Sequence, residues 1–259
     1  MASANTTQSE TERTGKEMTV SPRFLLLQVR DLPDPMRKQE VVCFTEAAGC
    51  DPQHMQTLDL LSEGLTVRAL HQFDVVLVGG SGDYSVVDGG PWLSRALDAM
   101  RLLHEQGKPT FASCWGFQAL ALALGGEVVT DRSRAEVGTY PLQLTSDGCS
   151  DPVFSPFSKE LRVQLGHQDI VDRLPVDATL LASSCGVINQ AFRIEGKPIY
   201  ATQFHPELTK AQFLERVKNY PEYIQSVAGV TFSEFTDLVE ETPDARSLLT
   251  RFLTHVLPS

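Results

Sequence analysis

Two short apolar runs constrain the fold most. Phe24 to Val29 (Phe-Leu-Leu-Leu-Gln-Val) and Phe73 to Val78 (Phe-Asp-Val-Val-Leu-Val) lack the apolar–polar alternation of a half-exposed strand. Strands apolar on both faces belong in a sheet covered on both sides, the setting of parallel strands. Gln56 to Leu60, Thr110 to Ser113 and Ile199 to Gln203 read as further strands. Helical segments lie between them. Arg37 to Ala48 is stopped by Gly49, Trp92 to Gln106 by Gly107, and Gly116 to Leu124 is strongly apolar. Alternating strands and helices predict an α/β protein: an open, mostly parallel sheet with helices on both faces. Ligands in such sheets sit at the carboxyl ends of the strands.

The second half changes character. Glu127 to Leu144, Arg162 to Leu165, Thr179 to Ser183 and Ala191 to Ile194 suggest shorter strands, and Lys210 to Val227 and Phe232 to Leu257 read as mostly helical. There is no internal repeat and no linker long enough to separate domains. The expected organisation is a disordered polar tail over 1–20, the α/β domain over 21–209, and a helical extension over 210–259 packed on the same domain.

No apolar run approaches the ~20 residues of a membrane span, and Met1 to Lys16 lacks an apolar signal core. A cytoplasmic protein is expected. The net charge of -11 argues against nucleic acid as a partner, because that binding relies on Lys and Arg. The five cysteines (Cys43, Cys50, Cys114, Cys149 and Cys185) form no C-x-x-C pair, so neither a zinc site nor a disulfide framework is expected. Cys43 and Cys185, and more loosely Cys50 and Cys149, read as small buried hydrophobes. The six histidines show no H-E-x-x-H or H-x-H spacing, and no metal or cofactor is expected.

Cys114 has a different setting. It falls at the corner of a strand–turn–helix passage, Phe111-Ala112-Ser113-Cys114-Trp115-Gly116-Phe117-Gln118. A thiol there lies over the positive end of a helix, a setting that favours an anionic sulfur. Gln203-Phe204-His205-Pro206-Glu207 follows the strand from Ile199. His205 and Glu207 are two residues apart with Pro206 stiffening the link, so in extended geometry both point the same way. The carboxylate can then orient the imidazole toward a thiol, the nucleophile–base–orienter arrangement of acyl transfer. Gly79-Gly80-Ser81-Gly82 follows another strand. It lacks the third glycine of a dinucleotide loop and any following Gly-Lys-Ser/Thr. Gly80, having no Cβ, suits an oxyanion hole, with Trp115 supplying the second backbone N–H.

Val78-Gly79-Gly80, the Cys114 elbow, Gly166-His167-Gln168-Asp169 and Gln203-Phe204-His205-Pro206-Glu207 together resemble the class I, triad-type glutamine amidotransferases. The likeness runs from Phe24 to Thr209 and is greatest to the glutaminase domain of GMP synthase and its stand-alone relatives. It implies a flavodoxin-like fold with Cys114 as nucleophile, His205 as base and Glu207 as its orienter. It further implies that Gln118 holds the α-amino and α-carboxylate groups of glutamine, with His167, Gln168 and Asp169 lining the same pocket. Ammonia released by that chemistry passes to a synthetase, here a possible separate subunit, since the chain has no Ser-Gly-Gly-x-Asp-Ser motif and no P-loop. The sequence departs from the family pattern at Ala112 and Ser113, where glycine and an aliphatic residue are usual. It also departs at Ser81, in place of proline, and at the bulky Trp115.

Two alternatives stand beside glutamine hydrolysis. A γ-glutamyl peptide or amine hydrolase would use the same three residues with a pocket open beyond the scissile bond. A non-catalytic binding or regulatory module on the same scaffold would need none of them.

Overall fold

The computed structural model describes residues 21–157, 160–221 and 224–258; the tail expected over 1–20 lies outside them. Eleven strands occur among the described residues: β1 (Phe24–Val29), β2 (Met55–Asp59), β3 (Val75–Ser81), β4 (Thr110–Ser113), β5 (Glu127–Thr130), β6 (Glu136–Leu144), β7 (Glu160–His167), β8 (Asp169–Arg173), β9 (Ala178–Ser183), β10 (Ala191–Ile194) and β11 (Ile199–Thr202). Nine form one sheet in the order β2-β1-β3-β4-β11-β10-β9-β6-β7, and β5 pairs with β8 apart from it. The first five strands of that order are parallel, and from β11 onward every pairing is antiparallel. The expected parallel sheet is thus the half that contains the two apolar runs.

Alternate residues of one strand feed two cores, as the pleat requires. Leu25, Leu27, Val76, Val78 and Ala112 meet helices Leu93–Glu105 and Trp115–Ala123 on one face. Phe24, Leu26, Val75, Leu77 and Phe111 meet helices Met36–Ala48 and Pro243–Val256 on the other. The C-terminal helix is deep in this second core. The Phe252 ring lies 5.4 Å from Phe111 and 5.7 Å from Tyr200, centroid to centroid. Helix Lys210–Asn219 buries Phe213 and Val217 in a third cluster with Cys43 and Val137.

The cysteines correct one expectation. Cys43 is buried, but Cys185 is exposed, as is Cys149, and Cys50 is half-buried. Cys185 falls in the connection between β9 and β10, where no core element faces it. No helix among the described residues is long and apolar enough to cross a membrane.

Candidate functional site

Three strand ends build the site. β3, β4 and β11 run parallel as neighbours, so residues following them emerge along one sheet edge. β3 continues through Gly79 and Gly80 to Ser81, past the strand end expected at Val78. Cys114 follows β4 directly, and its amide donates to Thr202 O at 2.8 Å, extending the β4–β11 ladder by one step. It then turns sharply into the helix, with φ 52° and ψ -105°. Gly116 permits that turn. A Cβ there would stand 2.8 Å from Val78 Cβ and 2.9 Å from Val78 O, closer than packing allows.

His205 is anchored through its backbone, whose amide donates to Gln164 O of β7 at 3.0 Å. Its Nδ1 meets Glu207 Oε1 at 2.8 Å, while the Cys114 thiol donates to Gly166 O at 3.8 Å. Gly80 closes the group. A Cβ on it would lie 3.1 Å from His205 Cε1 and 3.7 Å from Cys114 Cβ, so no side chain intervenes between loop, imidazole and thiol. Burial opposes a charge on His205, but Glu207 and then Cys114 outweigh it and raise the pKa to about 9. Burial likewise opposes ionisation of Glu207, and His205 and then Arg216 overcome it, holding the carboxyl well below its usual range.

A cavity of about 330 Å³ opens beside Cys114, lined by Trp115, Gln118, Gly166, His167, Gln168 and Asp169 and, across from them, by the 81–85 loop. Gln118 spends its amide N–H groups on Asp169 O (2.9 Å) and Gln203 Oε1 (3.1 Å). His167 has both ring nitrogens engaged, Nε2 with Glu136 Oε2 and Nδ1 with Asp169 O, each at 3.1 Å. It shapes the wall and has no free ring nitrogen to offer. The Asp169 carboxylate accepts from Ser85 and Thr130 hydroxyls at 2.5 Å each, tying the 81–85 loop to β5. Thr130, Arg132 and Asp88 complete the lining.

Comparison with known proteins places the chain in a family. The family model described as "Glutamine amidotransferase class-I" matches residues 50–218. The chain belongs to the class I glutamine amidotransferase family. GMP synthase of Christiangramia forsetii is 37% identical over 126 residues, covering 48% of this chain and 24% of that one. A glutamine-hydrolyzing GMP synthase subunit from Archaeoglobus fulgidus is 33% identical over 144 residues, covering 54% of this chain and 75% of that one. The matches thus span about a quarter of the longer synthase and most of the archaeal subunit. A glutamine amidotransferase structure from Thermotoga maritima superposes with a TM-score of 0.72 at 22% identity, over 92% of this chain and 99% of that one.

Within this amidotransferase two of the departures from the family pattern, Ser81 and Trp115, have local compensation, whereas the buried Ser113 hydroxyl has no hydrogen-bond partner among the described residues. The Ser81 hydroxyl donates to Tyr84 O at 2.6 Å and accepts from Tyr84 N at 2.9 Å, fixing by hydrogen bonds a turn that proline would fix by its ring. Trp115 is accommodated by Trp92, centroids 5.8 Å apart, and Trp92 in turn meets Tyr84 edge-on at 5.2 Å. Two neighbours of the site were not assigned from sequence. Gln203 approaches the Cys114 sulfur at 3.8 Å through Nε2. Arg216, from the C-terminal extension, donates through Nη1 to Glu207 Oε1 at 3.1 Å. Its signal was present: Arg216 shares the apolar stripe of its helix with Phe213 and Val217, where a charge requires a partner.

Proposed function

We propose that this amidotransferase hydrolyses the side-chain amide of glutamine through a γ-glutamyl thioester on Cys114, releasing ammonia. The observation that carries the reading is the convergence of a strained elbow cysteine with a buried His205–Glu207 pair at one sheet edge. The Cys114 sulfur attacks the amide carbon, and the amide oxygen takes the negative charge. Backbone N–H groups of Gly80 and Trp115 receive that oxyanion, each donor supplying about 3 kcal/mol of transition-state stabilisation. His205 carries the thiol proton to the departing nitrogen, which leaves as ammonia. It then takes a proton from water as the water attacks the thioester, and glutamate and the thiol are regenerated. Glu207 orients the imidazole throughout. Gln118 would help hold the α-amino and α-carboxylate groups of glutamine, with His167, Gln168 and Asp169 lining the same cavity.

The GMP synthase subunits among the relatives support an ammonia acceptor on a separate synthetase chain. Five free cysteines suit a reducing, cytoplasmic setting. Phe213 and Phe252, buried in the cores, support reading the helical extension as packed on the same domain. A second reading, hydrolysis of larger γ-glutamyl amides, is favoured by one feature: the cavity continues past Cys114 to exposed Arg132 and Asp88.

The test is ammonia release from glutamine set against cleavage of a panel of γ-glutamyl amides, with mass spectrometry after a glutamine-analogue electrophile. Turnover of glutamine with an adduct on Cys114 is the expected result. Inert glutamine with a cleaved larger amide would establish the second reading. No adduct on Cys114 in folded protein would leave a non-catalytic module.

A further inference from the structure

During the proposed turnover His205 alternates between neutral and charged, while Glu207 must remain a carboxylate in both states. Glu207 is fully buried, and its Oε2 has no hydrogen-bond partner. Whenever the imidazole gives up its proton, this carboxylate would be an uncompensated buried anion, the kind of charge that recaptures a proton. A charge that does not alternate stands on its other side. Arg216 is buried and places Nη1 3.1 Å from Glu207 Oε1 and 3.4 Å from His205 Nδ1. Its Nε donates to Gln39 Oε1 at 3.1 Å, tying the guanidinium to helix Met36–Ala48.

We propose that Arg216 is a positioning residue of the site: it keeps Glu207 ionised through both states of His205, and its charge limits how firmly the His205–Glu207 pair holds a proton. The inference rests on the glutaminase reading only for its kinetic consequence. The helical extension, through Arg216, thereby joins the acid–base machinery.

The other charged and titratable groups nearby are accounted for. Cys114 faces His205 directly. Arg30 approaches Gly80 but is paired with Glu40 (3.3 Å) and Asp34 (3.2 Å), and Tyr220 donates to the same Asp34 at 2.8 Å. Glu136 is occupied by His167 and Gln190. Cys43 lies near Arg216 and Glu207, and burial pushes its thiol up to about 12, so it stays neutral. Among the described residues, Arg216 is therefore the cation in contact with both members of the pair.

The experiment is an NMR titration of the His205 imidazole in the full chain carrying Cys114→Ala, so that the thiol does not contribute. Arg216→Gln should raise the midpoint by about one pH unit or more, because a like charge in contact lowers it by that order. Arg216→Lys should restore most of the difference. In the Cys114 enzyme, Arg216→Gln should lower kcat/KM for glutamine about tenfold or more, with Arg216→Lys intermediate. An unchanged midpoint in Arg216→Gln would overturn the proposal, whatever the activity. Absence of glutaminase activity in the parent would remove the proposed function and leave the titration decisive. Should Arg216→Gln fail to fold, adding Glu207→Gln tests the same coupling. Recovered folding supports it; persistent unfolding means Arg216 acts through packing alone.

Discussion

Cys114 is the only non-glycine residue with positive φ among those described, and its ψ of -105° takes it outside the left-handed helical well as well. Such a backbone costs about 1–3 kcal/mol and persists only where its surroundings hold it. Comparing Cys114→Ala with Cys114→Gly isolates that strain, because both remove the sulfur and only glycine relieves the clash of Cβ with its own backbone. At an ordinary position glycine is the less stable of the two by about 0.5–1 kcal/mol. Here relief of about 1–3 kcal/mol reverses the order, leaving Cys114→Gly ahead by about 1 kcal/mol. For a protein of this length that is about 2–4 °C in Tm. Both variants should be inactive on glutamine and keep the circular dichroism of the parent. Urea or thermal unfolding provides the comparison. If Cys114→Ala is as stable as Cys114→Gly or more so, the elbow is not strained and the argument from its geometry fails.

Other perturbations probe the pair and the extension. The pKa of His205 stands at about 9 in the fold against an ordinary 6.5, so folded protein keeps a proton that unfolded chain releases. This contribution to stability is fully present below 6.5 and is lost as pH rises through about 9. Glu207→Gln should flatten most of that slope in chemical unfolding curves, leaving the part due to Cys114, and lower kcat about a hundredfold; an unchanged slope would mean Glu207 does not hold the proton. Phe252→Ala removes a fully buried ring from the face shared with Phe111 and Tyr200 and should cost about 3–5 kcal/mol in urea unfolding. A loss under about 1 kcal/mol would make the last helix peripheral.

What the sequence revealed follows from what local chemistry encodes. β1 and β3 were legible because burial on both faces leaves them almost wholly apolar. Cys114, His205 and Glu207 were legible because an elbow and a stiffened His-x-Glu are local arrangements. The order of the strands was not, since nothing in Ile199 to Thr202 says that this strand inserts beside β4. Nor were the hydrogen bonds of His167: Glu136 reaches it because β6 and β7 pair in the register that sets those two residues opposite each other. Cys185 was misjudged because residue type suggests burial while position in a connection decides it. Arg216 carried a readable sign, a charge on an apolar stripe, but its partner is fixed only by where that helix docks.

The place of β11 has a further consequence, for the order in which the protein can become itself. It is the last strand of the main sheet to be synthesised, yet it lies between β4 and β10 near the middle. Until it docks, the strands made earlier form two separate groups, and closing the gap requires contacts far apart in sequence. The same event brings His205 and Glu207, from a distant stretch of chain, to Cys114. In an incomplete chain Cys114 therefore lacks both neighbours, and completion of the sheet and assembly of the candidate site are a single step.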